Sequence, residues 1–136
     1  MGERTGTKKK ALFLQWRPLV LGSVDGLISG IAFTSGSILN GVERRNYIAL
    51  GLGIIISESF SMSVSELLSS LEEGEYSQGI CNALACGSGF FLSSLAPFLA
   101  VLIFFSSERW IRFLSLCFVG AGLILLFSKV RSLAFS

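Results

Sequence analysis

Four apolar stretches fill most of this chain, and they decide what it can fold into. They run over Pro18–Asn40, Tyr47–Ser69, Cys81–Phe105 and Trp110–Phe127. Crossing hydrocarbon takes ~20 residues of helix, and each stretch approaches that length. Lipid offers no partner to a bare N–H or C=O, so each stretch must satisfy its own backbone as a helix. The expected fold class is all-α, an integral membrane helical bundle of about four transmembrane helices. With 136 residues and a mean hydropathy of +0.70, nothing is left over for a soluble domain. We expect a basic cytosolic tail at residues 1–15 and a single membrane domain at residues 16–136.

The placement of charge orients the bundle. Arg4, Lys8, Lys9, Lys10 and Arg17 precede the first span, and Lys129 and Arg131 follow the last. Arg44, Arg45, Arg109 and Arg112 fall on the opposite side. Positive residues favour the cytoplasm, so the seven-to-four split places both termini there. The same few basic residues sit where topology signals belong, which argues against a nucleic-acid partner. The opening MGERTGTKKK reads as a short disordered tail. A cleaved leader is not expected, because the first span is long, carries Asp25 and has no evident small-residue cleavage site.

Local punctuation supports this division. Trp16 and Arg17 suit a water–lipid boundary, and Pro18 suits the first turn of a helix. Gly22, Gly26 and Gly30 recur at four-residue spacing, a smooth strip for close approach of another backbone. Asp25 lies beside that strip and is expected to face protein or water. Asn40–Gly41 reads as a helix stop. The connecting GVERRN is short, so the first two spans are expected to be antiparallel neighbours, with Asn46 as a cap and Tyr47 at the interface. SSER reads as a tight turn, and Trp110 and Arg112 mark the boundary again. In the third span, Pro97 reads as a tolerated kink. Cys81, Cys86 and Cys117 form no CxxC pair and read as small packing residues.

The second span changes character halfway. YIALGLGIII suits lipid, whereas SESFSMSVSELLSSLEEGEY places seven serines between Ser57 and Ser70. That polar side must meet other helices or an aqueous cavity. Within it, Glu58, Met62 and Glu66 are spaced four and four. Each step advances ~400° around the helix, so the three side chains form one stripe ~12 Å long. An ionised carboxylate at bilayer depth costs at least ~2.5 kcal/mol, which marks Asp25, Glu58 and Glu66 as candidate functional groups. Met62 is the only methionine besides Met1, and its neighbours one turn away on either side are acids. Carboxylates alone suit magnesium, calcium or manganese; a thioether shifts the preference toward later transition metals. Ferrous iron fits such a mixed site, as do cobalt and zinc. Glu72, Glu73 and Glu75, beyond the hydrocarbon, read either as a solvated charge run or as a cation-collecting mouth. A buried carboxylate that trades a proton for a metal is the basis of proton-coupled exchange. The chain has no His, which removes the usual zinc ligand and proton shuttle.

Two segments carry a resemblance. VLGSVDGLISGIAFTSGSI resembles the first helix of the vacuolar iron transporter family, whose pattern centres on Asp-Gly-Leu/Val. SESFSMSVSELLSS resembles its second helix, with an acid, a Ser-Met pair and a second acid at the same spacing. The likeness covers about residues 15–76 and continues weakly through the third span. It implies proton-coupled export of ferrous iron, or a related divalent metal such as manganese, from the cytosol across a vacuolar or cytoplasmic membrane. It also implies a homodimer with the pathway near the dimer interface. By position, Asp25 and Met62 match pathway residues of the family, and Glu58 and Glu66 match the flanking acids. The chain departs from the family in having Ser65-Glu66-Leu67 where Gly-Glu/Asp-Tyr is usual. Where the family carries a Glu-rich insert, only LEEGEYSQG remains, and four spans stand where five are usual.

The expected partners are thus a divalent metal ion, protons, the bilayer and a second copy of the chain, with no permanently bound cofactor. Two alternatives compete with metal export. One is a small four-helix drug/proton exchanger, which needs aromatic walls for bulky cations; the serines flanking the stripe favour a small hydrated ion instead. The other is a non-transporting membrane subunit or scaffold. No nucleophile–base pair or cofactor loop points to an enzyme.

Overall fold

The computed structural model describes residues 3–74, 76–106 and 108–135. Four helices follow one another: α1 (Glu3–Asn40), α2 (Arg44–Glu72), α3 (Tyr76–Ile103) and α4 (Arg109–Phe135). Each contains a stretch long and apolar enough to cross a membrane. The bundle is all-helical among the described residues, and its large exposed side chains are overwhelmingly apolar, as suits a protein whose solvent is lipid. The four apolar helices suggest an integral membrane protein.

The helices run past the apolar stretches at most of their ends. The backbone is helical from Glu3, so residues 3–15 extend α1 rather than forming an irregular tail. Lys, Ala and Leu are strong helix formers, and the segment Lys8–Leu14 is built from them apart from Phe13. Pro18 therefore sits inside the helix rather than in its first turn, and it is buried. Helix α2 starts at Arg44 behind an extended Glu43, not at Asn46, and Glu43 makes no side-chain capping bond. Gly41 has φ +63°, the left-handed backbone that glycine adopts without strain. The amide of Val42 donates to the Ser37 carbonyl at 3.1 Å and that of Gly41 to Ile38 at 3.3 Å, a Schellman stop at the expected place. Gly74, with φ +78°, stops α2 the same way, its amide 3.1 Å from the Leu71 carbonyl.

The centre of the bundle is α3, which holds more buried residues than any other helix. The glycine strip of α1 packs on it. A Cβ at Gly22 would collide with the Cys86 backbone, one at Gly26 with Phe90, and one at Gly30 would stand 2.7 Å from the Pro97 ring. Both helices advance together along these contacts, so α1 and α3 run parallel and nearly backbone to backbone. On another face of α3, Gly51 meets Phe98, Gly87 meets Ser63 and Gly79 meets Ser70, an antiparallel register with α2. The first two spans are thus antiparallel but are not packed neighbours along their length. Helix α3 separates them, and they meet near their connecting turn, where Phe33 stacks on Tyr47. Helix α4 lies on the side, with Ile31 reaching Gly120.

Tyr47 is fully buried rather than interfacial. Its ring lies between Phe33 and Phe98, with centroids 5.6 and 4.9 Å away, and its hydroxyl donates to the Phe98 carbonyl at 2.9 Å. Phe105 tilts against the same ring, and the Arg112 guanidinium sits 5.2 Å from the Phe105 centroid. This cluster ties all four helices together at one end.

Candidate functional site

The two outer helices diverge from their shared turn and leave a groove whose floor is α3. One wall is the stripe of α2. Glu58, Met62 and Glu66 are each half-buried, on the margin between the packed and the open face of that helix. The opposite wall is a stripe of α1 formed by Asp25, Ser29 and Phe33, also spaced four and four. Ser29 and Phe33 line the same cleft as Glu58, with Phe90, Ser94 and Phe98 beneath; the cleft is shallow and open to the surroundings. Asp25 continues that wall one turn further from the connecting end and is exposed in the single chain. Of the acids, Glu58 lines this cleft; Met62 and Glu66 follow it along the α2 stripe, and Asp25 follows Ser29 along the α1 stripe.

They do not close on one ion within one chain. Among the described residues no three His, Cys, Asp or Glu side chains converge into a set that would hold a metal. The cause is the interposed α3, which keeps the walls apart. Glu72 and Glu73 lie exposed at the far end of α2, beyond the groove, and Glu75 lies outside the described residues.

The serines show how so polar a helix survives. Ser59 donates to the Ile55 carbonyl at 2.6 Å, Ser63 to Ser59 at 3.0 Å and Ser57 to Ile54 at 3.2 Å. On the floor, Ser94 donates to Phe90 at 2.7 Å. Each hydroxyl proton is spent on its own helix, which lowers the cost of burial. What each hydroxyl still offers is oxygen lone pairs, the acceptors a cation needs. Ser59, Ser63 and Ser70 pack toward α3, whereas Ser57, Ser61, Ser65 and Ser69 stand exposed in line with Gly53.

Several contributors were not singled out in the sequence. Ser29 was legible in principle, four residues after Asp25 on the same face. Cys86 is buried against Gly22, as its packing reading expects. Cys81 and Cys117 are exposed free thiols, so the packing reading fails for those two. The three phenylalanines of the cleft come from α1 and α3, and no local pattern brings them to Glu58. Comparisons with protein-family models, with curated proteins and with solved structures found nothing that matches this chain.

Proposed function

We propose that the chain moves a divalent transition-metal ion, ferrous iron first, across a membrane in exchange for protons. The observation that supports this reading is a cleft lined by Glu58 of α2 against Ser29 of α1, with Met62 and Glu66 next along the α2 stripe and Asp25 next along the α1 stripe. Oxygen and sulfur donors together suit ferrous iron, cobalt or zinc better than magnesium, while manganese is served by the carboxylates alone. A proton released from Glu58 or Asp25 as the ion arrives couples the two movements. The likeness of α1 and the second half of α2 to vacuolar iron transporters supports the same direction, export from the cytosol. The open side of the groove, with Asp25 exposed, supports a homodimer in which a second copy completes the ligand set.

A second reading rests on a specific observation: Glu58 faces Phe33, Phe90 and Phe98 rather than serines alone. An acid among aromatic rings suits a lipophilic cation, and a small drug/proton exchanger would use it so. The serines that flank the α2 stripe suit a small hydrated ion better than a bulky cation, so the inorganic ion is preferred. Proteoliposomes loaded with a pH dye separate these readings. Ferrous iron, manganese, cobalt or zinc added outside should enter with internal alkalinisation, as protons leave in exchange. Tetraphenylphosphonium moving protons while no metal does so would favour the exchanger. Neither moving would leave a non-transporting subunit.

A further inference from the structure

The groove is blocked at the end where α1 joins α2 by aromatic rings that belong to the buried core cluster. Phe33 and Phe98 each turn one side to the Glu58 cleft and the other to the buried Tyr47 ring. Any ion or water passing along the acids toward that end meets this three-ring stack directly beyond Glu58. The stack is held by ring contacts and by one hydrogen bond, from the Tyr47 hydroxyl to the Phe98 carbonyl. Phe98 follows Pro97, which supplies no N–H and leaves the Ser93 carbonyl without its helical donor, the usual cause of a bend in a long helix. Phe98 also rests on Gly51, where no side chain holds it in place. One ring of the stack thus stands directly after the turn of α3 that lacks a backbone hydrogen bond.

We propose that Tyr47, clamped between Phe33 and Phe98, is the closed gate of the groove, and that bending of α3 at Pro97 withdraws Phe98 to open it. The proposal rests on the transport reading above for what the gate admits. In the closed state the acids communicate with the end near Glu66 only. Breaking the bond between the Tyr47 hydroxyl and the Phe98 carbonyl is the switch between the two states.

The test is access to Ser29, which borders the cleft on the α1 wall. A Ser29→Cys chain lacking the three native cysteines is reconstituted into vesicles, and a Glu43→Cys chain in the connecting turn reports which side is labelled. An impermeant thiol reagent added from the turn side should label Ser29→Cys slowly. Tyr47→Ala or Phe33→Ala should raise the rate at least about tenfold by shifting the population toward open. Leu27→Ala, a buried position on α1 outside the cluster that holds Tyr47 and Phe98, should not. Should Tyr47→Ala fail to fold, Tyr47→Phe removes only the hydroxyl and should still speed labelling measurably. Unchanged rates in the Tyr47 and Phe33 variants would overturn the gate, as would an equal rise with Leu27→Ala. Metal flux is read in the same vesicles. Faster labelling without any metal flux supports the gate and defeats the metal reading alone, so the two failures are distinguishable.

Discussion

At the scale of single residues, Met62 and Asp25 separate chemistry from packing. Met62→Leu conserves volume, and such swaps usually cost less than ~1.5 kcal/mol, so the bundle should keep its thermal stability. Losing a soft ligand worth ~1.4 kcal/mol would weaken ferrous iron or cobalt uptake about tenfold while sparing manganese. Unaltered iron flux in proteoliposomes would remove the thioether from the pathway. Asp25 is exposed in the single chain, so Asp25→Asn should leave folding untouched. It should nevertheless abolish metal-driven proton movement, read by an internal pH dye; intact coupling would exclude this carboxylate from the exchange. The candidate residues were legible because an acid is costly in hydrocarbon and stands out in an apolar stretch. Tyr47 was misread for a related reason: a tyrosine near a span's end fits the aromatic belt. Only the partners three helices supply reveal a buried ring with its hydroxyl satisfied.

Among the elements, the relation between α1 and α3 is the least negotiable contact. Glycines at positions 22, 26 and 30 bring two backbones so close that any side chain there strikes main chain or Pro97. Gly26→Leu should therefore cost ~3 kcal/mol or more, since the obstacle is the Phe90 backbone, which cannot rotate away. Loss of a monodisperse peak in detergent, with Gly36→Leu unaffected because nothing lies near Gly36, would show it. The strip itself was plain in the sequence; its partner was not. A short connection pointed to α2, yet the first half of α2 is bulky, and a smooth strip gains nothing against it. The small-residue opening of α3, CNALACGSG, offers the complementary face. Shape complementarity overruled chain proximity here, and because α3 took the central place, the acids of α1 and α2 ended on opposite walls.

For the whole molecule, one chain leaves its polar lane unroofed. Asp25 is exposed, the acids of α2 are half-buried, and the line Gly53, Ser57, Ser61, Ser65 and Ser69 faces outward with nothing near Gly53. Acyl chains against these groups would leave carboxylates and hydroxyls without water, and each ion would bear the full cost of hydrocarbon. Small residues every fourth position are also the surface on which membrane helices approach one another closely. A two-fold related copy that sets this line of α2 against its own counterpart covers both defects at once, and closes rather than propagates. The outer face of α4, with Phe118, Leu125 and Leu126 exposed and no acidic residue anywhere in the helix, has no such need and is expected to face lipid. In a chain freed of native cysteines, Ser61→Cys should thus form a disulfide-linked dimer in vesicles under mild oxidation. Leu125→Cys should remain monomeric under the same conditions. If Ser61→Cys also stays monomeric while metal flux persists, the ligand set is not completed by a second copy, and the groove of a single chain must carry the ion alone.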